Sequence, residues 1–253
     1  MRIGIQPYTI SAIDEPLPAK LGRIARAGYE GVELGPDANT DAVHEALDAS
    51  DLAVSSVGSG LDALDDDLDA HVAACEGFDT DNVVVMWIDP EHFETREAVE
   101  STAERLDAAA DRLADRGLRL HYHNHDHEFT DLGETTGYEA LVDATDAVRF
   151  EVDAGWAGVG GVDPAALLGD IGDRVSLVHL KDMDFDSGEF VMFGEGDLDV
   201  AETVAAARRI DAEWGLFEND EPVDPVAEPS HASILLDEHT GHLGRRETRT
   251  DGD

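Results

Sequence analysis

The chain has 253 residues, 42% of them hydrophobic, with 17 Lys+Arg against 58 Asp+Glu and a formal net charge of −41. That length suits one (β/α)8 barrel with a core large enough to need no disulfide. A field this negative repels phosphate and excludes nucleic acid as a partner, and no run approaches the roughly 18 apolar residues of a membrane span. The opening MRIGIQPYTI lacks a signal-peptide pattern. The single cysteine, Cys75, has no internal partner, reads as inert packing and fits a reducing cytoplasm. The carboxylates are spread over every helical segment rather than gathered in one tail. This is the pattern of a whole surface adapted to molar salt, as in a halophile.

In chain order, short β-rich runs fall at Arg2–Gln6, Gly31–Leu34, Leu52–Val57, Asn82–Trp87, Leu118–His123, Val148–Asp153, Val175–Lys181 and Gly215–Glu218. Amphipathic segments lie between them, among them Leu17–Ala27, Thr40–Ala49, Glu97–Arg116 and Val200–Ala212. In the third of these, Val99, Ala103, Leu106, Ala110 and Leu113 make one stripe at spacings of three and four. Gly28 and Gly117 match left-handed helix stops. Eight strand–helix alternations imply parallel strands with right-handed crossovers. An open doubly wound sheet would carry a Gly-rich phosphate turn after its first strand, where this chain has Gln6-Pro7-Tyr8-Thr9. The fold class is therefore α/β, a single (β/α)8 TIM barrel over residues 1–236. The stretch 237–253 has no apolar periodicity and is expected to fray as a polar tail.

In such a barrel the C-terminal strand ends carry the chemistry. Four consecutive ends read LRLHYHNHDHEF, RFEVDAGW, LVHLKD and LFENDEP. They point His123, Asp153, His179 and Glu218 toward the axis as candidate ligands. Two imidazoles and two carboxylates suit Mn²⁺, Zn²⁺, Fe²⁺ or Co²⁺, with Mg²⁺ less comfortable beside two nitrogens. Glu151 shares strand parity with Asp153, which places it inside the barrel, where a buried charge needs a partner; Arg119 is a candidate. His121 and His127 read as structural, with His121 able to orient a ligand. Gly194–Glu195–Gly196 lacks the Lys-Ser/Thr of a phosphate loop and shapes the rim, and Asp65–Asp67 is a solvated helix start.

The runs GIQPYT, GYEGVEL, HYHNHDHEF, FEVDAGWAGVGGVDP, VHLKD, FGEGDLDV and LFENDEP span the first strand to the eighth. Together they resemble the xylose-isomerase-like TIM-barrel superfamily, in its group of sugar phosphate isomerases and epimerases. The resemblance implies a metal-dependent isomerase or epimerase of a sugar or keto-sugar, working through an enediolate-type intermediate. It implies metal ligands from strands 5 to 8, and Asp153, His179 and Glu218 match by type. The sugar epimerases usually carry Glu on strand 5, paired as acid and base with the strand-8 Glu; this chain offers His123, then Asn124 and His125.

Glu218 is expected to act as base, helped by His125, with Glu128 and Glu33 as other candidates for the second role. Lys181 is placed to bind a developing oxyanion. Gln6 and Tyr8 match the family's Q-x-Y positions and serve either substrate contact or loop packing. Glu33 lines the pocket or is solvated, and Trp156, in the family's D-x-x-W pattern, walls a sugar face or covers the core. The runner-up activity is a lyase or dehydratase on an inosose, dehydroshikimate or keto-glycoside, which also begins by removing a proton beside a carbonyl. A sugar-binding barrel without catalysis is the third reading. The apurinic endonucleases of the superfamily cluster several metals and present a basic face; this chain shows neither a further His/Asp/Glu set nor the charge. No Arg/Lys cluster marks a phosphate site, so the expected partner is an unphosphorylated small-molecule sugar, bound by a monomer or homo-oligomer.

Overall fold

The computed structural model describes residues 1–244. Strands β1 (Arg2–Ile5), β2 (Gly31–Leu34), β3 (Ala53–Ser59), β4 (Asn82–Val85), β5 (Arg119–His123), β6 (Arg149–Asp153), β7 (Val175–Leu180) and β8 (Trp214–Phe217) close into one parallel barrel in sequential order. Around and between them run α1 (Leu17–Ala27), α2 (Asp41–Ser50), α3 (Leu61–Asp66), α4 (Leu68–Phe78), α5 (Arg96–Ala114), α6 (Gly137–Ala144), α7 (Ala154–Val159), α8 (Pro164–Ile171), α9 (Val200–Arg209) and α10 (Glu228–Thr240). The expected TIM barrel is the observed one. Among the described residues no helix is long and apolar enough to cross a membrane.

Local chemistry explains the element ends. Asp67, Thr95, Asp163 and Asp199 cap the helices that follow them by accepting backbone N–H bonds, and Thr136 with Glu139 forms a full capping box. Gly28 closes α1 with φ 103°. Two other helices end on an aspartate in the left-handed region, Asp51 (φ 51°) and Asp79 (φ 55°). Aspartate is among the few non-glycine residues that tolerate that conformation, so even stop positions add to the acidic surface. The scarce cations clasp this surface: on α5, Arg105 reaches Asp62 (2.8 Å) and Asp65 (3.1 Å), and Arg112 reaches Asp65 (2.8 Å).

Strand alternation divides the core. On β4, Val83 and Val85 join the main apolar shell between barrel and helices, whereas Val84 joins Leu177, Trp214 and Leu216 in a separate cluster. The same parity carries the chain from Leu177 up to His179 and from Leu216 up to Glu218. An apolar plug thus fills the lower barrel and polar residues take its upper rim. Cys75 is fully buried, and burial, with Asp81 adding to it, pushes its thiol up to about 12, which keeps it inert.

The expected tail boundary at 236 falls inside α10, which continues to Thr240. Gly241 then turns the chain, and buried His242 bonds Ser233 and Thr240 (both 3.0 Å). The remainder of the expected tail, 245–253, lies outside the described residues.

Candidate metal centre and active site

His123 ends β5, Asp153 ends β6, His179 lies near the end of β7 and Glu218 follows β8. All four are buried, and one ligand atom from each lies within 4.8 Å of every other. Backbone chemistry fixes their directions. Asp153 caps α7, its Oδ1 accepting from Trp156 N at 2.9 Å, which leaves Oδ2 facing Lys181 Nζ (3.2 Å) and His123 Nε2 (3.8 Å). One carboxylate both starts a helix and faces the site. The Asn124 side chain locks β5 to β6, donating to the Asp153 carbonyl (3.2 Å) and accepting from the Asp153 N–H (3.0 Å). Gly155 lets α7 approach: a Cβ there would lie 2.8 Å from the Lys181 carbonyl oxygen and 3.0 Å from its Cγ.

Lys181 is the buried cation of the rim. Its ammonium sits 2.9 Å from Glu218 Oε2, 3.0 Å from Asp220 Oδ2 and 3.2 Å from Asp153 Oδ2. Burial alone would strip its charge, but these three carboxylates hold it protonated. His179 is in a similar balance: burial opposes its charge, while Glu151 and Glu218 hold the imidazole well above its ordinary value. Glu218 would be pushed up by burial, yet Lys181 and His179 keep it well below the usual carboxylate range. His123, buried beside His179, is held neutral.

His125 stands at the rim with its ring 5.0 Å from His123, 4.5 Å from Trp87 and 5.7 Å from Trp156. Burial, then Lys181, lowers it to about 3, and its buried Nδ1 has no hydrogen-bond partner. Trp156 and Phe190 wall the ammonium, with ring centroids 5.3 Å and 5.7 Å from Lys181 Nζ. On the opposite side Gln6 donates to Glu33 Oε1 (2.8 Å), and Ser56 donates to Glu33 Oε2 (2.8 Å). Tyr8 is 59% exposed beyond this group.

Two side chains go elsewhere than expected. Glu128 is fully buried, binding the Tyr122 hydroxyl and the His125 N–H (2.8 Å), and so holds the loop after β5 from beneath. Arg119 does not reach Glu151. It sits at the far end of β5 and pairs with Asp81 (2.7 Å) and Glu213 (2.6 Å). The register sets Glu151 against His123, four residues up the strand from Arg119, a rise of about 13 Å. Glu151 instead meets His123 Nδ1 at 3.0 Å and His179 Nε2 at 3.3 Å. Burial and the neighbouring Glu33 push it up to about 8. A second His/Glu set therefore does exist, Glu33–Glu151–His179, sharing His179 with the first. His121 bonds only the Val83 carbonyl (3.4 Å) and His127 the Ile88 carbonyl (2.9 Å), both structural contacts. Asp220, Trp87 and Phe190 were not singled out from the sequence; the acidic run Glu218-Asn219-Asp220 is the one signal that marks any of them.

A closed (β/α)8 barrel thus brings two buried histidines and two buried carboxylates together at the C-terminal end of its strands, a group that could hold a metal ion. The chain belongs to the Xylose isomerase-like TIM barrel family, whose model matches residues 21–233. It is similar to the inosose dehydratase of Geobacillus kaustophilus, 28% identical over an alignment of 163 residues, with 57% of this chain and 52% of that enzyme covered. The match thus spans about half the length of that curated relative. Among solved structures it is similar to a sugar phosphate isomerase/epimerase from Parabacteroides distasonis, with TM-score 0.79, 21% identity and 93% of each chain covered. It is also similar to the probable 3-DHS dehydratase of Bacillus anthracis, with TM-score 0.76, 11% identity and coverage of 93% of this chain and 98% of that one. At these identities the two structures establish the fold.

Proposed function

We propose that this chain is a divalent-metal-dependent isomerase or epimerase of an unphosphorylated sugar or keto-sugar. The observation that carries the reading is the convergence of His123, Asp153, His179 and Glu218 from consecutive strands, with one donor atom of each within 4.8 Å of the others. The donor set fits a borderline ion such as Mn²⁺, Co²⁺, Fe²⁺ or Zn²⁺, with Mg²⁺ the poorest match beside two imidazoles. A bound ion would polarise a carbonyl and its neighbouring hydroxyl, easing removal of the proton on the carbon between them.

The chain's own residues supply the rest. Glu218 commits Oε2 to His179 and Lys181 and leaves its other oxygen to take a carbon-bound proton. His125, a neutral imidazole with an unpartnered Nδ1, can take a proton on another side of the site, and Glu218, once protonated, can return the one it removed. Lys181 places a fixed positive charge beside the reacting oxygens, and the Trp156–Phe190 wall keeps water from it. Lys181 stands among three carboxylates, whose summed negative charge disfavours a doubly charged phosphate.

A second reading, dehydratase action through the same proton removal, is supported by the inosose dehydratase relative and by His123 standing where epimerases carry a glutamate. Deuterium uptake from solvent by a panel of ketoses, inososes and keto-glycosides in high salt separates the two: exchange without loss of water marks isomerisation, exchange with loss of water marks elimination. Glu218→Gln should cut exchange by about 10²–10⁴-fold while affecting substrate binding less. A variant with full exchange removes Glu218 from the role, and protein purified without stoichiometric divalent metal removes the metal-dependent reading.

A further inference from the structure

We propose that Glu151 is a positioning residue for the histidine ligands, one carboxylate oxygen holding the His123 proton on Nδ1, so that Nε2 is free to bind metal, and standing against the Nε2 side of His179. This inference deepens the function proposed above and rests on it. An imidazole ligates through an unprotonated nitrogen, so the proton must be kept on the other one, and an acceptor behind the ring does this. Glu151 Oε2 is that acceptor for His123, 3.0 Å from Nδ1, and stands 3.3 Å from His179 Nε2 as an ion-pair contact, while the hydrogen bond of the His179 ring joins Nδ1 to Glu218 Oε2. The other nitrogen of each ring is turned to the cluster: His123 Nε2 lies 3.8 Å from Asp153 Oδ2, and His179 Nδ1 lies 3.0 Å from Glu218 Oε2.

The two rings use opposite nitrogens for a topological reason. Glu151 is on β6, and the histidines come from its two neighbours, β5 and β7, so they flank it from opposite sides. The register places Glu151 against His123 on one side and against Leu177, one turn of the pleat below His179, on the other.

Packing does not account for a carboxylate at this depth. The interior layer nearby is Val84, Leu177, Trp214 and Leu216, and an aliphatic residue at 151 would continue it without the cost of burying a charge. Glu151 is instead fully buried, and its Oε1 has no hydrogen-bond partner. Glu33, anchored by Gln6 and Ser56, stands on the far side with Oε2 3.6 Å from His179 Nε2. Glu33 and Glu151 thus both face His179 Nε2, while Nδ1 faces Glu218. The competing use of Glu33, Glu151 and His179, as a second metal site, gives a different stoichiometry and so can be told apart.

The test titrates Co²⁺ into the whole chain in molar KCl, for the unaltered protein, Glu151→Gln and Glu151→Leu, with unfolding curves as the folding control. We expect one Co²⁺ per chain, an affinity loss of about 10–100-fold in Glu151→Leu, and a smaller loss in Glu151→Gln, whose amide oxygen still accepts one N–H. In metal-free protein, ¹⁵N couplings of His123 should report the proton on Nδ1, moving to Nε2 in Glu151→Leu. Should the leucine variant not fold, the glutamine variant decides alone through its affinity and tautomer. Unchanged affinity and tautomer overturn the proposal, as do two Co²⁺ ions falling to one in Glu151→Gln. Protein that binds no Co²⁺ defeats the proposed function instead, and the His123 tautomer still decides on Glu151.

Discussion

Replacing Lys181 by methionine keeps the length of the side chain and removes its charge, leaving Asp153, Glu218 and Asp220 without the ammonium now 2.9–3.2 Å from their oxygens. Removing one partner of a buried charged cluster costs about 3–5 kcal/mol, because the charges left behind have lost both water and counter-charge. Globular proteins unfold with an entropy of about 2 cal/mol/K per residue, so for a chain of this size the loss corresponds to a Tm lowered by about 6–10 °C. A divalent cation supplies the missing charge. At a thousandfold excess over its Kd it adds about 4 kcal/mol and should return most of the lost Tm. Activity should not return with it if Lys181 has the proposed role at the substrate oxygen: solvent exchange should stay down by about 10²–10³-fold, the usual cost of one oxyanion donor. The assay is thermal unfolding of both proteins in molar KCl, with and without Mn²⁺, beside deuterium uptake into substrate. A Tm drop under about 2 °C, or metal that restores stability and exchange together, refutes the reasoning.

Two further expectations concern the surface and the barrel floor. A net charge of −41 repels itself over a Debye length of about 10 Å at 0.1 M salt but only about 3 Å at 1 M, so Tm should rise steeply as KCl is raised from 0.1 M toward 3 M; a flat or falling profile in unfolding scans would remove the salt-adaptation reading. At the floor, burial would raise Glu213, but its bonds to Arg119 hold it below the usual carboxylate value. A depressed folded value contributes stability above the unfolded carboxylate pKa of about 4.3 that is lost as pH falls through the folded one. Glu213 is partly exposed, so the contribution is at most about 1 kcal/mol. Urea midpoints of Glu213→Gln should fall below those of the unaltered protein at pH 7 and converge with them toward pH 3; a gap that stays constant with pH counts against it.

The rim was legible in the sequence for a physical reason. A period of two assigns each strand residue to the lumen or the helix side, and the C-terminal end of a barrel strand is its open end. Polar residues closing four consecutive strands, His123, Asp153, His179 and Glu218, could therefore converge only at one place. Parity gives the face but not the depth. Arg119 and Glu151 both have lumen parity, and pairing them ignored the register that puts Glu151 beside His123 and sends Arg119 to the floor with Glu213. Loops are less legible still, because no period governs them. Glu128 turns under its loop to Tyr122 and His125, while Asp220, two residues past Glu218, turns back to Lys181. The end of α10 is a like case. Past Leu236 there is no stripe to read, and what holds the chain is His242 against Ser233 and Thr240, contacts that exist only once α10 has formed. Depth also separates the rim histidines from Glu151, the residue below them. Sequence parity placed Glu151 inside the barrel, but the register made it the shared partner of two rings from neighbouring strands, and pairings of that kind follow from how the sheet closes.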